Sequence, residues 1–210
     1  MSEQDRNVEW LRSRYQAVSR TQNRYLLLLL LGSAYTLGVR LTPGETVNVP
    51  FLGLGVPRQM VEAFAVTVLG VLTLAFFGAI EAGYRAHTQL AETMEVAPDK
   101  LTRELMDENP NLLDLLEYST YFKGEPTRLS PIGWLVMYPL PVVAVVLWAL
   151  WLWWTGFQAR PYCWQWLLAL HILNAAILAG VVARTLSFLT LHVVAVVRSF
   201  MKQTGVREKG

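Results

Sequence analysis

The sequence predicts an all-α polytopic membrane protein: a four-helix transmembrane bundle with a small helical cytoplasmic cap. Three observations predict this class. Of 210 residues, 53% are hydrophobic and only 16% charged, where soluble domains carry roughly 25% charge. The charges crowd into the first 24 residues, the middle third and the tail, leaving long apolar stretches between them. Lysine and arginine fall on alternate sides of those stretches, as the positive-inside rule requires.

Residues 1–24 are polar but patterned. Val8, Leu11, Tyr15 and Val18 recur at spacings of three and four, giving one apolar helix face, and Arg6, Arg12, Arg14, Arg20 and Arg24 occupy the rest. A cytoplasmic juxtamembrane amphipathic helix is expected, lying on anionic headgroups or extending the first span. A helix that docks a partner protein is the alternative.

The first span is residues 25–39, bracketed by Arg24 and Arg40. It provides only about 22 Å of helix for a core of roughly 30 Å. Snorkelling arginines and local thinning extend it. Residues 40–59 form an outside loop, with a turn signal at Pro43-Gly44 and with Pro50 and Pro57 excluding a regular helix. A short extended or hairpin-like segment is expected there.

The second span is residues 60–80, with Glu62 at its outer end. Glu81 and Arg85 are four apart, on one face at its inner end. Ala75, Ala79 and Gly83 form a small-residue row that permits close helix approach; together, 25–83 make a transmembrane hairpin. The helix is expected to continue to about Met94. Residues 84–131 hold nine acids against five bases. Helices near 99–108 and 111–122 are expected, broken at Asn109-Pro110. Fewer than about fifty residues do not easily build an independent core, so this acidic segment is read as a cytoplasmic cap on the bundle or an interface.

The second hairpin covers 132–183. Its first span, 132–155, carries Pro139 and Pro141 in its inner third, where they are expected to kink the helix. Trp148, Trp151, Trp153 and Trp154 mark its outer end, and Trp164 and Trp166 lie across a short turn. Together they make an interfacial tryptophan belt. The last span, 162–183, carries the rows Ala175, Ala179, Ala183 and Ala176, Gly180. Residues 184–210 are expected to leave the membrane as a cytoplasmic helical tail; an interfacial or re-entrant course is the alternative.

Lysine and arginine number five in 1–24, five in 84–131 and five from Arg184 onward, against two in 40–59 and one, Arg160, in 156–163. Fifteen against three places both termini and the middle segment in the cytoplasm.

Several chemistries find no support. There is no HExxH, G-x-S-x-G or Gly-rich phosphate loop. Cys163 is the single cysteine, and His87, His171 and His192 lack ligand spacing. No enzyme activity, cofactor or metal is expected. A net charge of +2 without a dense basic run argues against direct nucleic-acid binding.

The polar groups at membrane depth are the remaining candidates. His171 and Asn174, three apart on the last span, are expected to face another helix or water. They either tie helices together or line a polar path. Glu81 and Arg85 either form an interfacial ion pair or gate an oligomeric pore.

The loop VNVPFLGLGVP (47–57) and the stretch WLVMYPLPVVAVVLWALWLWW (134–154) give the chain a family resemblance. From about residue 20 to 185 it resembles the N-terminal four-span membrane module of bacterial pentapeptide-repeat membrane proteins. It departs from them in carrying no pentapeptide repeats. The resemblance supplies no catalytic residue to carry over; a multi-pass location in the cell inner membrane is expected. In architecture the chain is also similar to membrane effectors of prokaryotic antiviral defence, in which a cytoplasmic sensor drives a membrane subunit to perturb the bilayer.

The expected function is a homo-oligomeric membrane subunit whose cap receives a signal and whose spans form or gate a pore. Its expected partners are the lipid bilayer, further copies of itself and a cytoplasmic protein. A non-conducting anchor or scaffold and a small-molecule transporter are the alternatives.

Overall fold

The computed structural model describes residues 3–48, 53–96, 101, 105, 139–158 and 165–207. Among them, 89% are helical. The helices are α1 (Glu3–Leu41, 39 residues), α2 (Arg58–Met94, 37 residues), α3 (Leu140–Gln158, 19 residues) and α4 (Gln165–Arg207, 43 residues). Strands β1 (Thr46–Asn48) and β2 (Gly55–Pro57) complete the inventory. α1, α2 and α4 are long and apolar enough to cross a membrane, whereas α3 holds a shorter apolar stretch, Leu140–Gly156.

α1 does not pause between its arginine-rich start and its leucine run. It ends where Pro43 cannot continue a helix. Thr42 closes the last turn, its N–H donating to Gly38 O at 3.1 Å and its hydroxyl to the same carbonyl at 2.9 Å. Gly44 follows with φ 118°, a conformation that favours glycine. β1 and β2 pair antiparallel, with Val47 opposite Val56, so a short two-stranded ladder stands between α1 and α2.

α2 ends at Met94 in a Schellman arrangement: Val96 N–H donates to Ala91 O at 3.2 Å and Glu95 N–H to Glu92 O at 3.3 Å. Glu95 takes the left-handed position, φ 52°. α3 begins at Leu140, so Pro139 precedes it and Pro141 sits in its first turn, where a missing N–H costs little. The segment that would form the other arm of a kink, 132–138, lies outside the described residues. So do the turn 159–164 and the expected cap helices, apart from Leu101 and Leu105. α4 runs on through Arg184 to Arg207.

The chain divides into two compact units. The first comprises the described residues of Met1–Leu26, Ala75–Pro139 and Leu191–Gly210. Here Leu11, Leu90, Ala91, Leu101 and Leu105 are buried, with Val8, Tyr15, Met94 and Val96 against them. The apolar face read from the periodicity of residues 8–18 therefore packs on α2, Leu101 and Leu105. The second unit comprises Leu27–Leu74 and the described residues of Leu140–Thr190. Leu29, Val66, Leu69, Val142, Leu152, Leu178 and Val181 are buried in it. Its outward residues are mostly apolar too, Leu31, Phe64, Val68, Leu147 and Ile172 among them, an arrangement suited to lipid as solvent.

Candidate functional site

Three clusters of polar side chains in the second unit tie helices together. The first joins α2 to α4. Asn174, fully buried, donates from Nδ2 to Ala63 O at 2.9 Å and accepts at Oδ1 from the Thr67 hydroxyl at 2.6 Å. Ala63 and Thr67 are one turn apart on α2, so a single carboxamide reads two successive turns of the facing helix.

The second cluster joins α3 to α4. His171 is buried. Its Nδ1 lies 3.0 Å from Leu167 O; a carbonyl only accepts, so Nδ1 carries the proton in that bond. Nε2 faces α3, 3.4 Å from where a Cβ on Gly156 would stand. Trp153 Nε1 donates to the His171 carbonyl at 3.2 Å.

The third cluster lies at the hairpin end of α1, α2 and α3. Arg40 Nη1 donates to Glu62 Oε1 at 3.0 Å and Oε2 at 3.2 Å. The Glu62 side chain is 4% exposed and that of Arg40 32%. The Arg40 guanidinium also sits 5.2 Å above the Trp151 ring, within cation–π range. Trp151 stacks on Trp148 at 4.9 Å, and Trp148 Nε1 donates to the Thr36 hydroxyl at 2.7 Å. Thr36 passes its own proton to Ser33 O at 2.9 Å.

In the first unit, Arg85 Nη2 bonds Glu81 Oε1 at 2.7 Å. Both side chains are exposed, 72% and 47%, which makes a surface pair of small energetic weight. The Ala75, Ala79, Gly83 row meets α1: Gln22 Nε2 donates to Ala79 O at 2.9 Å. A Cβ on Gly83 would stand 2.7 Å from Gln22 Nε2 and 3.4 Å from Val18 Cγ1. On α4 the rows are more open. Ala176, Ala179 and Ala183 are exposed, Ala175 is half-buried, and a Cβ on Gly180 would meet nothing within 4 Å.

Of the four expected pore residues, His171 and Asn174 lie in the second unit and Glu81 and Arg85 in the first. Sequence reasoning missed the Arg40–Glu62–Trp151 cluster, although a charge of each sign flanking two consecutive apolar runs was the signal for it. Among the described residues, no group of three or more His, Cys, Asp or Glu could hold a metal. No family model, curated protein or solved structure matches the chain.

Proposed function

We propose that the chain is an integral inner-membrane scaffold that crosses the bilayer four times and presents a cytoplasmic docking platform without conducting ions. α3 supplies the fourth crossing, its apolar stretch Leu140–Gly156 giving about 26 Å of helix against a core of roughly 30 Å. Both termini and the acidic segment 84–131 face the cytoplasm, in keeping with the lysine and arginine distribution.

One observation carries the choice of scaffold over channel. Asn174, the most deeply buried polar group of the apolar helices, is bound to α2 through both its oxygen and its nitrogen. Intramembrane polar residues that line a water path keep hydrogen-bonding capacity facing it; this one is engaged as a cross-tie. The long helices supply the platform. α1, α2 and α4 contain about 58, 55 and 65 Å of helix, well beyond the thickness of a bilayer.

Electrical recording from planar bilayers tests the reading. The reconstituted protein is expected to pass no current above protein-free bilayers, and deleting residues 95–130 is expected to leave membrane insertion intact while abolishing recovery of a stoichiometric cytosolic partner. A conductance lost on changing Glu81, Arg85, His171 and Asn174 would replace the scaffold with a pore.

A further inference from the structure

We infer that the exposed side of α1 between Arg6 and Arg24 is a docking surface for an acidic segment of a cytosolic protein, with Trp10 as its apolar anchor. This surface rests on the scaffold reading above and gives that scaffold a partner chemistry and contact residues.

Only one side of this part of α1 is used within the chain. Leu11 is buried with Leu90, Ala91, Leu101 and Leu105, and Val8 and Tyr15 pack beside it. Gln22 bonds to Ala79 O on α2. The other side presents Arg6, Trp10, Arg14, Arg20 and Arg24, all exposed. At 100° per residue these five fall within about 60° of a common line, more than about 110° around the helix from Leu11, Tyr15 and Gln22. The packing on α2, Leu101 and Leu105 therefore holds α1 with the arginines outward.

Charge is segregated along that line. From Arg6 to Arg24 its exposed charges are four guanidinium groups and no carboxylate. Asp5 and Glu9 lie about 120° and 80° to one side. Four cations along about 27 Å of rigid helix attract a row of carboxylates and repel a basic surface. Guanidinium suits such a partner, because it can hold a carboxylate on two parallel N–H groups.

Trp10 supplies what charge alone does not. It is 59% exposed, the one large apolar side chain exposed between Asp5 and Arg24. The Arg14 guanidinium sits 5.3 Å from its ring centroid, so the indole is already restrained before a partner arrives. Ser13 and Ala17, on the same side, are short and exposed, which leaves room for a partner's apolar group against the ring. Tryptophan and arginine are the residue types that most often carry interface energy.

Two other occupants fit less well. A membrane surface takes an amphipathic helix lying flat with its apolar face down. Here that face is engaged within the first unit, and α1 continues unbroken into its leucine run. A nucleic-acid backbone, charged along its whole length, would also meet the exposed carboxylates of Asp5 and Glu9.

Fluorescence anisotropy tests this on the full chain in phosphatidylcholine nanodiscs. The probe is a labelled helical peptide of about 20 residues, long enough to follow the stripe, with glutamates along one face and a central leucine. Its control carries glutamine for glutamate. The glutamate peptide is expected to bind at least about tenfold more tightly than the control, and more weakly as salt rises. Trp10→Ala and Arg14→Gln are each expected to weaken binding about tenfold, whereas Arg85→Gln, which removes an exposed arginine of α2, leaves it unchanged. Full binding by Trp10→Ala, or a loss in Arg85→Gln equal to that in Arg14→Gln, overturns the surface. So does phosphatidylserine in the nanodisc that abolishes binding at physiological salt, which assigns the stripe to headgroups, or a DNA duplex that binds as tightly as the glutamate peptide. A current through reconstituted bilayers with peptide binding intact overturns instead the non-conducting scaffold beneath it.

Discussion

Arg40 grips both carboxylate oxygens of Glu62 from a single nitrogen, at 3.0 and 3.2 Å, while Trp151 lies beneath the guanidinium. The pair links the end of α1 to the start of α2, and the tryptophan adds α3. Removing Arg40 leaves a buried carboxylate without its counter-charge. Arg40→Ala is therefore expected to destabilise the protein in detergent by about 2–3 kcal/mol, less than a wholly buried pair because the arginine keeps some exposure. Arg40→Ala with Glu62→Ala should recover part of that loss. Thermal unfolding of the two single variants and the double variant measures it; additive losses would show that the pair is not coupled.

The Asn174 cross-tie gives a second prediction. Thr67→Val removes one donor and Asn174→Ala removes both bonds to α2. Hydrogen bonds between membrane helices are worth on the order of 0.6–2 kcal/mol. A double-mutant cycle on unfolding in detergent should return a coupling of about 1 kcal/mol between the two sites.

Glycines on the apolar helices separate by what surrounds them. A Cβ on Gly70 would fall 2.5 Å from Ile177 Cγ2, whereas one on Gly38 would meet nothing within 4 Å. Gly70→Ala must push α2 from α4 or force a rotamer, at a cost of about 1–3 kcal/mol. Gly38→Ala should be neutral or stabilising by up to about 1 kcal/mol, since alanine favours a helix interior. Melting temperatures, expected to fall for Gly70→Ala and to hold or rise for Gly38→Ala, check the packing of α2 on α4.

Much of the helical course was legible in the sequence, and the reasons are local. Val8, Leu11, Tyr15 and Val18 mark a helix face by spacing alone, and the polar turn after the run to Met94 marks an end. Ala79 and Gly83 announce a close approach, and Gln22 and Val18 make it. The partners were not legible. Nothing in the spacing of Asn174 points to Thr67, 107 residues away in sequence. Arg40 and Glu62 sit on either side of a loop whose closure brings them together, and a linear reading placed each at the outer end of its own span without pairing them. Continuity of the amphipathic segment with the first span was one of the courses the sequence left open, and the change of composition at Tyr25 coincides with no change of conformation in α1.

Glu95 supplies a prediction about backbone strain. Its φ of 52° lies in the left-handed region, where a side chain costs roughly 1 kcal/mol that glycine does not. Glu95→Gly should stabilise the α2 terminus by about 0.5–1 kcal/mol, and Glu95→Val should destabilise it because branching at Cβ worsens the clash. Amide exchange near Val96, slower in the glycine variant and faster in the valine variant, reports both effects.

The proposed scaffold requires both termini on the cytoplasmic side and the β1–β2 hairpin on the other. Single cysteines at Asn48 in the hairpin and at Arg6 in α1, each in a Cys163→Ser background, can be exposed in intact spheroplasts to a maleimide that does not cross membranes. Labelling of Asn48→Cys at once, with Arg6→Cys labelled only after permeabilisation, is the predicted result. Immediate labelling of Arg6→Cys, or equal labelling of both, would contradict it.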